Sequence, residues 1–167
     1  MQLDTLLTPE RTLCRAPATS KNLVLENCAR FFYENMSFCE NAATCASGGD
    51  TAPPLSADIL LQSLLARERL GSTGLGNGIA IPHCRLKNID AVMGALITLA
   101  EPIEFDAVDG KPVDIIFILL APERALQEHL KALAALADLF NRAEFRQSIR
   151  AATTAQQLYH AAVDFRA

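Results

Sequence analysis

Between Val113 and Leu120 the chain is apolar at every position except Asp114. A half-exposed strand alternates apolar and polar residues, whereas a strand without alternation has to be covered on both faces. That one segment therefore predicts a sheet sandwiched between helices. A length of 167 residues suits one ordinary domain, and a hydrophobic fraction of 50% is ample for the core that such a sandwich needs.

The periodicity around this strand assigns the other elements. Ser20 is placed to cap a helix running to about Asn35, with Leu23, Val24, Cys28, Phe31 and Phe32 on its apolar stripe. From Asn35 to Pro54 the periodicity is lost among Asn, Ser, Thr, Gly and Pro, so 35–54 is expected to be irregular. Ser56 suits the cap of a second helix carrying Ile59, Leu60, Leu64 and Leu65, with Gly71 at its end. Short strands are predicted at Ile79–Ile81 and Ala91–Leu99. A long helix from about Glu123 to Asn141 is expected to bury Leu126, Leu130, Leu133, Ala137 and Phe140, and a last helix spans Thr154–Phe165.

Composition removes several functions. A net charge of -4, with no Lys/Arg cluster denser than Arg85 and Lys87, excludes a phosphate-backbone footprint for nucleic acid. The longest uninterrupted apolar run, Ile115–Ala121, falls far short of the ~20 residues that span a bilayer. Asp4 and Glu10 stand where a secretory signal wants positive charge, so no membrane insertion and a cytoplasmic location are expected. The five cysteines, Cys14, Cys28, Cys39, Cys45 and Cys84, lack C-x-x-C spacing and read as reduced thiols, with no metal site expected.

One stretch concentrates unusual residues on a single imidazole. Gly71, Gly74, Gly76 and Gly78 precede Ile79-Ala-Ile-Pro-His83, which combines backbone freedom with the rigidity of a proline directly before the histidine. Nucleotide-binding loops run strand, glycine loop, helix; here the loop follows a helix and lacks both the third glycine and the Lys-Ser/Thr. A neutral His83 carries a nucleophilic nitrogen at physiological pH and can accept a phosphoryl group. Cys84 is its neighbour on an extended segment, so the two side chains point to opposite faces and cannot easily pair as nucleophile and base. No short-range spacing supports a metal site from His83, Cys84 and His129. His129 and Arg67, taken singly, read as a helix-flank histidine and a solvated helix-end charge.

Together these residues resemble a family. Leu64-Leu-Ala-Arg-Glu-Arg-Leu-Gly-Ser-Thr-Gly-Leu-Gly-Asn-Gly-Ile-Ala-Ile-Pro-His83 is similar to the active-site signature of the type-2 IIA proteins of the bacterial phosphoenolpyruvate-dependent phosphotransferase system. The likeness continues through Phe117–Ala137 and Leu6-Leu-Thr-Pro-Glu-Arg, covering essentially the whole chain. It implies a single α/β domain over 1–167 with a mixed central β-sheet flanked by α-helices on both faces. It implies no cofactor, and a phosphotransferase activity in which His83 accepts phosphate from an HPr-like phosphocarrier. His129 and Arg67 fall on the supporting positions, and Thr73, Gly76, Asn77 and Gly78 are weaker candidates for neutral donors.

Within the family the chain looks most like the nitrogen-regulatory branch, which implies signalling to regulatory target proteins through phosphorylation-dependent binding. The alternatives are a fructose/mannitol-type IIA passing phosphate to a IIB domain, and an interaction module that has lost phosphotransfer. Two departures stand out: the 35–54 segment is longer than usual, and Cys84 replaces a small residue. The second suggests oxidation-sensitive transfer.

Overall fold

The structure, a computed structural model, describes residues 3–36, 55–87 and 89–165. Most of the irregular segment expected at 35–54, with Cys39 and Cys45, lies outside these residues. Short 3-10 turns at Leu3–Thr5 and Pro9–Arg11 lead into strand β1 (Thr12–Ala16) and helix α1 (Lys21–Glu34). Helix α2 (Ala57–Arg69) is followed by β2 (Gly74–Gly76), β3 (Ile79–Ala80), β4 (His83–Leu86), β5 (Met93–Ile103) and β6 (Val113–Pro122). The chain closes with α3 (Leu126–Asn141), α4 (Ala143–Ala151) and α5 (Ala155–Val163).

The strands form one mixed sheet in the order β1-β5-β6-β3-β2, with β4 also on β6. Strand β6 is antiparallel to β5 and parallel to both β3 and β4. As its composition requires, β6 is the buried centre, and Ile115 through Ala121 are all fully buried. Alternate residues feed two cores. Ile116, Ile118 and Leu120 pack with α1 and α2, whereas Ile115, Phe117 and Leu119 pack with the three C-terminal helices. The second core is threaded by edge-to-face rings, with Phe117–Phe140, Phe140–Phe145 and Phe145–Phe165 centroids 5.9, 5.1 and 5.0 Å apart. Ser20, Ser56 and Thr154 each cap a helix by accepting a backbone N–H three residues on.

Several boundaries differ from expectation for identifiable reasons. Helix α3 buries His129, Ala132, Leu136 and Phe140, whereas Leu126 and Leu130 are 47% and 57% exposed. Apolar residues cover so much of this helix that two stripes share the same period, and periodicity alone cannot set the phase. Leu23 is likewise partly exposed, at 37%, and the α1 stripe runs through Val24, Leu25, Cys28, Ala29 and Phe32. Helix α4 escaped notice because its buried anchors are only Phe145 and Ile149, one turn apart among charges. No described helix is long and apolar enough to cross a membrane.

The glycine-rich segment is a hairpin, not an open loop. Asn77 and Gly78 have φ of +56° and +83°, the paired left-handed conformation of a two-residue turn between β2 and β3. The Asn-Gly dipeptide signals this turn directly. Pro82 then interrupts the edge strand without breaking register: Ile79 pairs with Ile115 and His83 with Leu119, the same offset on either side. The proline lacks an N–H but its carbonyl still accepts from Leu119 N–H, at 3.0 Å.

Candidate functional site

His83 opens β4, and the strand pleat sends it and Arg85 to one face while Cys84 and Leu86 enter the core beneath α1 and α2. Its ring nitrogens have different partners. Nδ1 lies 2.7 Å from the carbonyl of Ile81, which can only accept, so Nδ1 carries the proton and Nε2 the lone pair. Arg67, in the last turn of α2, donates its Nε–H to His83 Nε2 at 3.0 Å and an Nη1–H to the Gly71 carbonyl at 3.0 Å. Burial pushes the His83 imidazole below its usual range, the Ile81 carbonyl opposes that, Arg67 adds to it, and Glu68 opposes it. With Nδ1–H on the Ile81 carbonyl and Nε2 accepting from Arg67, the hydrogen bonds match a neutral ring in one tautomer.

His129 arrives from the opposite side, in the second turn of α3, where the chain doubles back from the end of β6. The two imidazoles stand edge to face with centroids 5.4 Å apart. Burial, followed by His83, Arg85 and Arg67, pushes the pKa of His129 down to about 4. Its Nε2 is buried and has no hydrogen-bond partner among the described residues. A buried imidazole nitrogen left unpaired costs about 1–3 kcal/mol, which a ligand oxygen arriving there would recover. No group of three or more His, Cys, Asp or Glu side chains able to hold a metal ion occurs among the described residues. What converges here is an imidazole nitrogen, a guanidinium and a second imidazole with an unpaired nitrogen, groups whose chemistry suits a small oxyanion.

The weaker candidates are placed elsewhere. Thr73 lies beside the site, but its hydroxyl donates to Glu68 at 2.6 Å. Gly78 accepts through its carbonyl from Asp114 and Ile115, whereas Pro82 accepts from Leu119. Four residues of strand separate those points, roughly 13 Å at 3.3 Å per residue, so the turn sits well away from the imidazole. Gly76 and Asn77 pack on Asp109, whose carboxylate accepts from Asn77 N–H at 2.9 Å. A Cβ on Gly78 would collide with Arg150 and Asp114. These residues build and anchor the hairpin that leads to His83. Cys84 is 7% exposed, on the far face from His83, and burial pushes its thiol up to about 12. A thiol this protonated and enclosed does not give the oxidation-sensitive site that adjacency in sequence suggested. Sequence reasoning missed Glu68, whose only outward sign was an acidic residue directly after Arg67.

Comparison with known proteins bears on this geometry. Residues 5–162 match the family model described as phosphoenolpyruvate-dependent sugar phosphotransferase system, EIIA 2. The chain is 42% identical over 164 residues to the nitrogen regulatory protein of Pseudomonas aeruginosa, covering 98% of this chain and 96% of that one. The crystal structure of nitrogen regulatory protein IIA-Ntr from Neisseria meningitidis superposes with a TM-score of 0.79 at 34% identity, over 95% of this chain and 97% of that chain. The crystal structure of mannitol IIA from Escherichia coli shares the fold, with a TM-score of 0.69 at 14% identity over 92% and 96% of the two chains.

Proposed function

Because the chain belongs to the EIIA 2 family of the phosphoenolpyruvate-dependent sugar phosphotransferase system, we propose that His83 accepts a phosphoryl group from the phosphohistidine of an HPr-like carrier. The phosphorylated surface then governs binding to regulatory target proteins. The observation that carries this reading is the tautomer: with Nδ1–H held on the Ile81 carbonyl, Nε2 is a fixed lone pair bordered by Arg67 and His129.

The steps follow from that geometry. The Nε2 lone pair attacks phosphorus in line, the new N–P bond forms as the carrier's N–P bond breaks, and the departing electron pair returns to the carrier imidazole. Phosphoryl transfer asks chiefly for positioning and for donors around the peripheral oxygens. Arg67 gives up its contact with Nε2 as that atom is phosphorylated and donates to the oxygens instead. His129 supplies the second donor, and the arriving negative charge favours its protonation. Exposed Leu70, Leu126 and Leu130 flank Arg67 and His129 in the chain and offer the carrier an apolar rim. The reading takes the cytoplasm as its compartment, since the proposed donor is a soluble carrier.

A regulatory output is supported by the nitrogen regulatory relative, which matches nearly end to end. Incubation with histidine-phosphorylated carrier and mass spectrometry under alkaline conditions tests acceptance. Wild type should gain one acid-labile phosphate and His83→Ala none; full incorporation into His83→Ala would overturn the assignment. Membership of a sugar phosphotransferase family supports a second reading, transfer onward to a fructose- or mannitol-type IIB domain. Phosphate moving from His83 to such a domain at the rate of a dedicated pair would favour it over the regulatory one.

A further inference from the structure

Glu68 takes no part in the transfer as described, yet its side chain is only 6% exposed and heavily engaged. It accepts from the Thr73 backbone N–H at 3.0 Å through Oε1 and 3.2 Å through Oε2, and from the Thr73 hydroxyl at 2.6 Å. Lys21, the first residue of α1, approaches Oε1 at 2.8 Å and also pairs with Asp106 at 3.0 Å. Burying a carboxylate is costly unless it is paired and fully hydrogen-bonded, and Glu68 meets both conditions. Cheaper ways exist to finish a helix.

The contacts of Glu68 close a ring around the imidazole. Arg67 donates to His83 Nε2, and His83 Nδ1 donates to Ile81 O. Ile81 N–H donates to Thr73 O at 3.0 Å, and Thr73 donates to Glu68, the residue bonded to Arg67. We propose that Glu68 is a positioning residue: by gripping Thr73 it fixes the exit of α2 against the His83 strand and so holds Arg67 in register with Nε2. Thr73, which the sequence suggested as a phosphate donor, works here as the handle that Glu68 grips. Lys21 and Asp106 moor the grip to α1 and to the β5–β6 connection. Without it the Arg67 side chain keeps only the Gly71 carbonyl as a local anchor, and the separation between guanidinium and imidazole is no longer set. A misplacement on the ångström scale costs about a hundredfold in a transfer that depends on alignment.

This inference rests on phosphorylation of His83, and its test separates the two. Glu68→Ala, Thr73→Val and Thr73→Ser are compared with wild type and with Gly78→Ala, which loosens the same hairpin outside the ring. The first readout needs no carrier: NMR solvent exchange of the Arg67 Nε–H. Glu68→Ala and Thr73→Val should speed it at least tenfold, while Thr73→Ser, which keeps both donors, and Gly78→Ala retain wild-type exchange. The second readout is transfer from phosphorylated carrier, where the first two variants should lower kcat at least tenfold with KM unchanged. Should Glu68→Ala fail to fold, Thr73→Val carries the same prediction. Wild-type exchange in a folded Glu68→Ala or Thr73→Val protein overturns the proposal. So does an equal effect of Gly78→Ala, which marks a merely structural role. A wild-type protein that takes no phosphate fails the parent reading, while the exchange measurement still decides Glu68.

Discussion

At His83 the two ring nitrogens already have separate tasks, one held on a carbonyl and one shared with a guanidinium. That division makes Arg67 hard to replace even by another cation. Lysine has no fork that reaches Gly71 O and His83 Nε2 together, so Arg67→Lys should slow phosphorylation by roughly one to two orders of magnitude, the scale of losing a fixed transition-state donor. Single-turnover transfer kinetics check this, and an unchanged rate would remove Arg67 from the site. Burial, with His83, Arg85 and Arg67 nearby, pushes the His129 imidazole down to about 4. Because folding depresses this pKa, the unfolded chain binds the proton more readily between the ordinary histidine value of ~6.5 and 4. Its contribution to stability is therefore present at neutral pH and is lost as the pH falls through that window. Urea melts from pH 7 to 4 should show the loss, and His129→Gln should flatten it.

At the scale of elements, the hairpin and α3 make opposite predictions. Gly78→Ala forces a side chain into a left-handed backbone against Arg150 and Asp114, and should cost about 1–3 kcal/mol by chemical denaturation. The transfer rate of the molecules that remain folded should not change, because the turn is remote from the imidazole. Replacing Leu126 and Leu130 together by serine should do the reverse, raising KM for the carrier with little change in Tm, since both side chains face solvent. The same two leucines mark where the sequence stopped being legible. Helices α1 and α2 and the buried β6 could be read because caps and continuous apolarity are local signals, and the glycine–proline frame singled out His83 as a candidate. The phase of α3 could not, because both of its stripes are apolar and only the sheet beneath decides between them. The grip of Glu68 on Thr73 was equally hidden, since it depends on how a helix end meets a hairpin in space.

For the whole molecule, the sandwich explains how three residues distant in sequence come together. The parallel pairing of β4 with β6 brings His83 to the end of the sheet where β6 hands over to α3, and α2 reaches the same end from the other face. His129 and Arg67 approach the imidazole from these two helices, so the site straddles both cores. In the proposed function a phosphoryl group on His83 would place negative charge on a surface that α2, β4 and α3 share, a local change of the kind that alters which partners a surface binds. Heteronuclear NMR of the carrier-phosphorylated, histidine-15N-labelled protein locates the N–P bond directly. The account predicts a single phosphoramidate on Nε2 of His83, with Nδ1 still protonated against Ile81; phosphate on Nδ1, on His129, or on no histidine at all would contradict it.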